Sequence, residues 1–222
     1  LFTNARLIDP DAATETLGSL LIEDGMIVAV YDDAATTDDS ATVIDCAGKY
    51  LAPGIVDIGV KVCEPGERHK ESFRTAGQAA AAGGVTTMVT RPDTNPTIDN
   101  PETLEFVIRR AREAAPVHVH PMAALTKARK GREMTEIGFL QDAGAVAFTD
   151  CDSVIVDTKV FSRALTYARS LGALVIAHPQ EPILSRGAAV TSGKFASLRG
   201  LPAVTAMAER MGLDRDIALV EM

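Results

Sequence analysis

Apolar residues follow two different rhythms along this chain. Through residue 52 they gather in short extended runs, "LFTNARLID", "GSLLIEDGMIVAVYDD" and "ATVIDCAGKYLAP", separated by turn residues. The stretch "EDGMI" carries the Asp-Gly signal of a tight hairpin, so a small antiparallel sheet is expected here. From Pro53 onward strand-like and helix-like segments alternate. The predicted strands are "GIVDIGV", "VTTMVTR", "VHVHPMAAL", "AVAFTD" and "LVIAHP". The predicted helices are "HKESFRTAGQAAAAGG", "NPETLEFVIRRAREA", "KGREMTEIGFLQDAGA", "DTKVFSRALTYARSLGA" and "LPAVTAMAERMGLDRDIALVEM". "AAAAGG" and "SLGA" place Gly where a helix ends. "DNPETLEFV" offers Asn100 as N-cap, Pro101 at the first helical position, and Glu102 and Glu105 in or near the first turn.

Alternating strand–helix units imply a parallel sheet. Their spacing of about 30 residues suits a (β/α)₈ barrel or a doubly wound sheet. No GxGxxG follows the first strand, so dinucleotide binding has little support. In a barrel the chemistry sits at the C-terminal strand ends. That rule selects Gly59–Gly66, Thr90–Pro96, His120–Thr126, Thr149–Ser153 and His178–Pro182. A barrel needs eight units, whereas five predicted strands precede Met222. A chain continuing beyond Met222 is therefore expected. Leu1 falls inside a predicted strand without an initiator Met, which points to a few leading residues as well.

Composition narrows the classes. Hydrophobic residues make up 46% of the 222, but aromatics only 5% with no Trp, so the core is built of Ala, Val, Ile and Leu. A net charge of −8 argues against nucleic acid and anionic membranes. Cys46, Cys63 and Cys151 form no CxxC pair and read as reduced thiols of a cytoplasmic protein. No apolar run approaches the roughly 20 residues of a membrane helix, and no signal peptide is visible.

The strand-end motifs "LAPGIVDI…EPG", "AAAAGGVTTMV…PDTNPTIDNPE", "LTKARKGREMTEIGFLQDAGAVAFTD" and "HPQEPILSRG" resemble those of dihydroorotases, in the cyclic amidohydrolase group that also holds hydantoinases and allantoinases. The resemblance runs along essentially the whole chain. It implies an amidohydrolase (β/α)₈ barrel, of which about five units are present in residues 53–222. It also implies a small β-sandwich portion, to which residues 1–52 contribute. The implied activity is hydrolysis of a cyclic amide at a one- or two-zinc centre. Zinc would polarise the carbonyl and lower the pKa of bound water to about 7.

Measured against that pattern, the reactive positions are altered. The family's D-x-H-V-H-F-R-E-P-G is written "DIGVKVCEPG". Gly59 and Lys61 stand where two His ligands would be, and Cys63 where an Arg would grip the substrate carboxylate. Gly has no donor atom, and an ammonium has no lone pair. Asp93 replaces an Asn that orients substrate, and an acid there repels an anion. In "FTDCDS", Asp150 is retained and Cys151 replaces a second acid. His178 matches a family metal ligand. The resemblance thus implies a non-catalytic dihydroorotase homologue of pyrimidine synthesis, with no metal or other cofactor. Its role would be structural or regulatory, as a partner of aspartate transcarbamoylase, with self-association alongside or instead.

Other readings stay open. A rearranged zinc centre on Asp150, Cys151 and His178 would leave an active cyclic amide hydrolase, and an open pocket would bind a small metabolite without turnover. His178 also reads as a hydrogen-bonded remnant. His118 and His120 point the same way on a strand, but on the third strand rather than the first. His69 reads as solvated near the first barrel helix. Lys61 is expected to pair with Asp150 or Asp93, or else to reach solvent. Cys63 and Cys151 read as structural thiols rather than a disulfide or thiolate site.

Overall fold

The computed structural model describes residues 1–32 and 41–222. They form two compact units that divide between Ile55 and Val56, three residues after the expected boundary.

The first unit is one sheet. Strands β1 (Phe2–Asp9), β2 (Thr14–Glu23) and β3 (Met26–Tyr31) pair antiparallel in sequence order. Asp24 and Gly25 form the β2–β3 turn with φ of +49° and +79°, and Glu23 faces Met26 across it. Two positive φ values in a two-residue loop are what Asp-Gly supplies. The sheet is not wholly antiparallel, however. Strands β4 (Ile44–Asp45) and β5 (Tyr50–Leu51) both run parallel to β1. The end of the expected second stretch, Asp33, lies outside the described residues.

The second unit repeats strand and helix. Strand β6 (Ile55–Val60) leads to helix α1 (Phe73–Ala82), β7 (Val85–Thr90), α2 (Pro101–Ala114) and β8 (His118–Pro121). Helices α3 (Ile137–Asp142), α4 (Thr158–Ser170) and α5 (Pro182–Ser185) follow, then β9 (Val190–Thr191), α6 (Lys194–Arg199), β10 (Ala203–Val204) and α7 (Met207–Glu221). The sheet order is β6-β7-β8, with β7 and β8 parallel. Parallel bridges Ala123–Phe148 and Phe148–Val175 add the fourth and fifth expected strands. Five neighbours in plain sequence order are a barrel arc; a doubly wound sheet reverses direction at its first strand.

Helices and sheet share one core. Phe73, Met88, Leu104, Val107, Leu140, Phe148, Phe161 and Ala164 are all buried in it. Ser72 caps α1 with a reciprocal Ser72–Thr75 box, and the Asn100 side chain accepts from Thr103 N at 2.9 Å with Pro101 behind it. Two helix expectations are corrected. The third helix shrinks to Ile137–Asp142, because the "KGREMT" stretch enters a loop in which Lys127 N donates to Glu133 O, Gly131 N to the Thr126 hydroxyl and Thr135 N to Leu125 O. The last helix starts at Met207, since "LPAV" is extended and pairs β9 through β10. Strands four and five survive only as single bridges.

Candidate functional site

The strand ends of the second unit bring a compact set of charged groups together. The β6 end is fixed first. Glu64 is buried, and its carboxylate accepts from Phe73 N at 3.0 Å and from Arg110 Nε at 2.8 Å. Those bonds outweigh the cost of burial and hold its pKa below the usual value. One side chain thereby ties the β6 end to the starts of α1 and the body of α2. Gly66 completes the turn with φ +102°, and a Cβ there would collide with the Asn95 carbonyl. The "EPG" frame is built for this close approach.

Gly59, in the position of the first family ligand, has φ +96° with open space around it. The backbone there lies in a region that side-chain-bearing residues rarely enter. Lys61 reaches Asp93, with Nζ–Oδ2 at 2.9 Å. Asp93 is also gripped side-on by Arg91, whose Nε and Nη2 donate at 3.2 and 3.0 Å. Burial of Asp93 favours the neutral acid, but the two cations outweigh it and its pKa falls below 3.8. Lys61 is correspondingly raised, chiefly by its bond to Asp93. Arg91 Nη2 makes one further bond, to Asp152 at 2.8 Å. Asp93 therefore does not stand as a bare acid facing an anion.

Asp150 turns the other way. It is buried, takes the Thr126 N–H at 2.9 Å and also the Thr126 hydroxyl. Burial keeps its pKa above the usual value despite those bonds. Lys61 is thus partnered by Asp93 and not by Asp150. Cys151 sits between Asp150 and Asp152 with φ +56°, which sends the two carboxylates in different directions. Burial, with the Asp93 charge, pushes its thiol up to about 11, so it stays protonated at neutral pH. Cys63 is half-buried and, like Cys46 and Cys151, free. His178 is exposed and pairs with Gln180 at 3.2 Å. His118 and His120 lie on β8 opposite Thr87 and Val89, both exposed; His69 is exposed ahead of α1.

The zinc that the resemblance implies does not fit this donor set. Among the described residues no three His, Cys, Asp or Glu side chains gather as a metal-binding group. Asp150, Cys151 and His178 do line one cavity, but it measures only about 20 Å³, room for a single water. Asp150 is committed to Thr126, and the exposed His178 pairs with Gln180. At the other strand ends a cation, Lys61, stands where a donor would be.

The sequence profile of the dihydro-orotase-like family matches residues 48–222. The chain belongs to that family. It is 35% identical over its full length to a dihydroorotase of Syntrophus aciditrophicus, covering 52% of that protein. It is 37% identical, over 99% of its length, to a dihydroorotase of Wolbachia and covers 49% of it. A "dihydroorotase-like protein" of Pseudomonas putida is 38% identical over 98% of the chain, which covers 51% of that protein. The chain thus spans about half the length of these curated relatives. The L-hydantoinase of Arthrobacter aurescens superposes with a TM-score of 0.80 at 20% identity, over 99% of this chain and 50% of that one. That likeness establishes the fold: a part of an amidohydrolase barrel, and a separate sheet unit.

Arg91, Asp152 and Thr126 are the site residues that motif reading passes over. Arg91 is visible only as the charged end of "VTTMVTR", immediately before "PDT". A charge closing a buried parallel strand is the available signal, since such ends face the barrel mouth.

Proposed function

We propose that this dihydroorotase-like chain is non-catalytic and serves pyrimidine biosynthesis as a structural or regulatory partner of aspartate transcarbamoylase, in the cytoplasm, with self-association alongside or instead. One observation carries the non-catalytic reading. The Lys61 ammonium lies 2.9 Å from Asp93 at the strand end where the family pattern places a metal ligand. A fixed positive charge there opposes a cation, and Gly59 beside it offers no donor. Hydrolysis of an unactivated cyclic amide needs a polarised carbonyl and an activated water, and no residue gathered at these strand ends supplies both. Support for the partner rests on the family resemblance. No helix among the described residues is long and apolar enough to cross a membrane.

A second reading keeps one specific observation: Asp150, Cys151 and His178 share a cavity. On that reading they form a rearranged centre for an active cyclic amide hydrolase. Two measurements separate the readings. Metal analysis of the purified protein, joined to a dihydroorotate assay, is expected to give neither stoichiometric zinc nor turnover; finding both overturns the non-catalytic reading. Gentle co-purification with aspartate transcarbamoylase is expected, and separate elution of the two proteins overturns the partnership.

A further inference from the structure

We propose that the outer face of helix α6 is a docking surface for the acidic first unit of a second copy of this chain. The inference gives the self-association named above a surface. It rests on that part of the reading and not on aspartate transcarbamoylase.

Helix α6 has its large and small residues reversed. It connects the parallel strands β9 and β10, and Gly200 ends it in the left-handed region with φ +63°. The residue it buries is the small Ala196, 3% exposed, whereas Phe195 and Leu198 are 66% and 74% exposed. Positions three apart share a helix face, so the two large apolar side chains form one outward stripe. A helix on the surface of a globular unit normally turns that stripe inward. The Arg199 guanidinium lies over the Phe195 ring, 6.0 Å from its centre, and Lys194 opens the helix. Aromatic and Arg side chains are the ones enriched where proteins meet.

Charge names the occupant. From Pro182 to Ala206 the chain carries Arg186, Lys194 and Arg199 and no Asp or Glu. All three bases are exposed. Residues 1–55 are the opposite, with ten Asp and Glu against two Lys and Arg, so the whole net charge of −8 lies in the first unit. That unit also exposes Met26, Ile27 and Val30 of β3, with Glu23 ahead of the strand and Asp32 after it. An apolar pair with a basic rim thus meets, on a second copy, an apolar strand with an acidic rim. Two α6 faces brought together would oppose bases, and two β3 faces would oppose acids, and like charges in contact are unfavourable. The contact is therefore heterologous, one surface of a copy against the other surface of the next.

Sedimentation velocity of the full chain over a wide range of concentration, at low and high salt, tests this. The wild type is expected to associate as concentration rises, and less so in high salt. Phe195→Ser with Leu198→Ser is expected to weaken association by about tenfold or more. Lys194→Glu with Arg199→Glu should weaken it several-fold, and so, separately, should Glu23→Lys with Asp32→Lys. Combining all four charge changes should restore much of the loss, because the two rims have exchanged sign. Thermal midpoints of the variants should match the wild type, since every changed side chain is exposed. A wild type that stays monomeric throughout overturns self-association itself. A wild type that associates while the α6 variants associate equally well keeps self-association and overturns this surface. Loss on changing α6 with none on changing Glu23 and Asp32 overturns the first unit as occupant. A monomeric wild type that binds added aspartate transcarbamoylase, and loses it with the α6 variants, assigns the surface to that protein and overturns the second copy.

Discussion

At the scale of single residues, the site is governed by which group holds which charge. Asp93 sits at the centre, with Lys61 and Arg91 on either side. Removing the centre leaves two cations facing each other. Asp93→Ala is therefore expected to cost about 2–3 kcal/mol in urea denaturation, whereas Lys61→Met costs under about 1 kcal/mol because the lysine is half exposed. The pH dependence follows from the same pair. Asp93 has a pKa below 3.8 in the folded protein. Its contribution is full above the ordinary carboxylate value and disappears as pH falls through the lower, folded value. Urea midpoints measured downward from pH 6 should show an acid-side loss that is smaller in Asp93→Asn. Gly59 gives another expectation. With φ at +96°, Gly59→His should cost about 1–2 kcal/mol even though its surroundings are open. The triple change Gly59→His, Lys61→His and Cys63→Arg should still fail to take up stoichiometric zinc, as metal analysis of the variant would show.

Among the elements, small residues decide which pieces dock closely. Helix α7 turns Ala208, Gly212 and Asp216 inward, one helical turn apart. A Cβ at Gly212 would run into the backbone of Pro179 and Gln180, the segment that follows the fifth strand. Backbone cannot give way as a side-chain tip can, so Gly212→Val is expected to lower stability by about 1–3 kcal/mol. Thermal unfolding followed by circular dichroism measures it. Such contacts are invisible along the chain, because Gly212 reads as a weak spot in a helix and not as a docking surface. The caps are different. Asn100–Pro101 and the Asp24–Gly25 turn act within a few residues, so local chemistry was enough to place them. The short third helix and the late start of α7 were not legible, since loop bonds to Leu125 and the pairing of β10 with β9 override local helical preference.

For the molecule as a whole, the proposal that charge stands in place of a metal has a measurable consequence. The strand ends of the barrel unit are joined by Glu64, Asp93 and Asp150, each satisfied by protein groups. On the proposed metal-free reading a chelator has nothing to remove. Thermal midpoints with and without EDTA are expected to agree within about 1 °C, and a drop of several degrees would show that a metal supports the fold after all. The large apolar side chains at Ile55, Val56 and Ile58 of β6 are exposed, as expected of a strand with β7 as its only sheet neighbour among the described residues.

The sequence by itself determined the class of fold, the order of the strand–helix units and the positions at which it differs from the family motif. Those follow from periodicity and motif spacing, which are local and survive without knowledge of contacts. For Lys61 it left two outcomes open, a carboxylate partner or solvent. Only the tertiary structure decided which one. Asp93 and Asp150 lie 57 residues apart, and the choice turned on Thr126 claiming Asp150 and on Arg91 drawing Asp93 toward β6. Arg91 and Asp152 come from different strand ends, so their contact is a product of sheet order alone. The backbone at Gly59 is the last such case: the sequence gives a residue without a donor atom, and only the structure shows that its φ of +96° is one that side-chain-bearing residues rarely adopt.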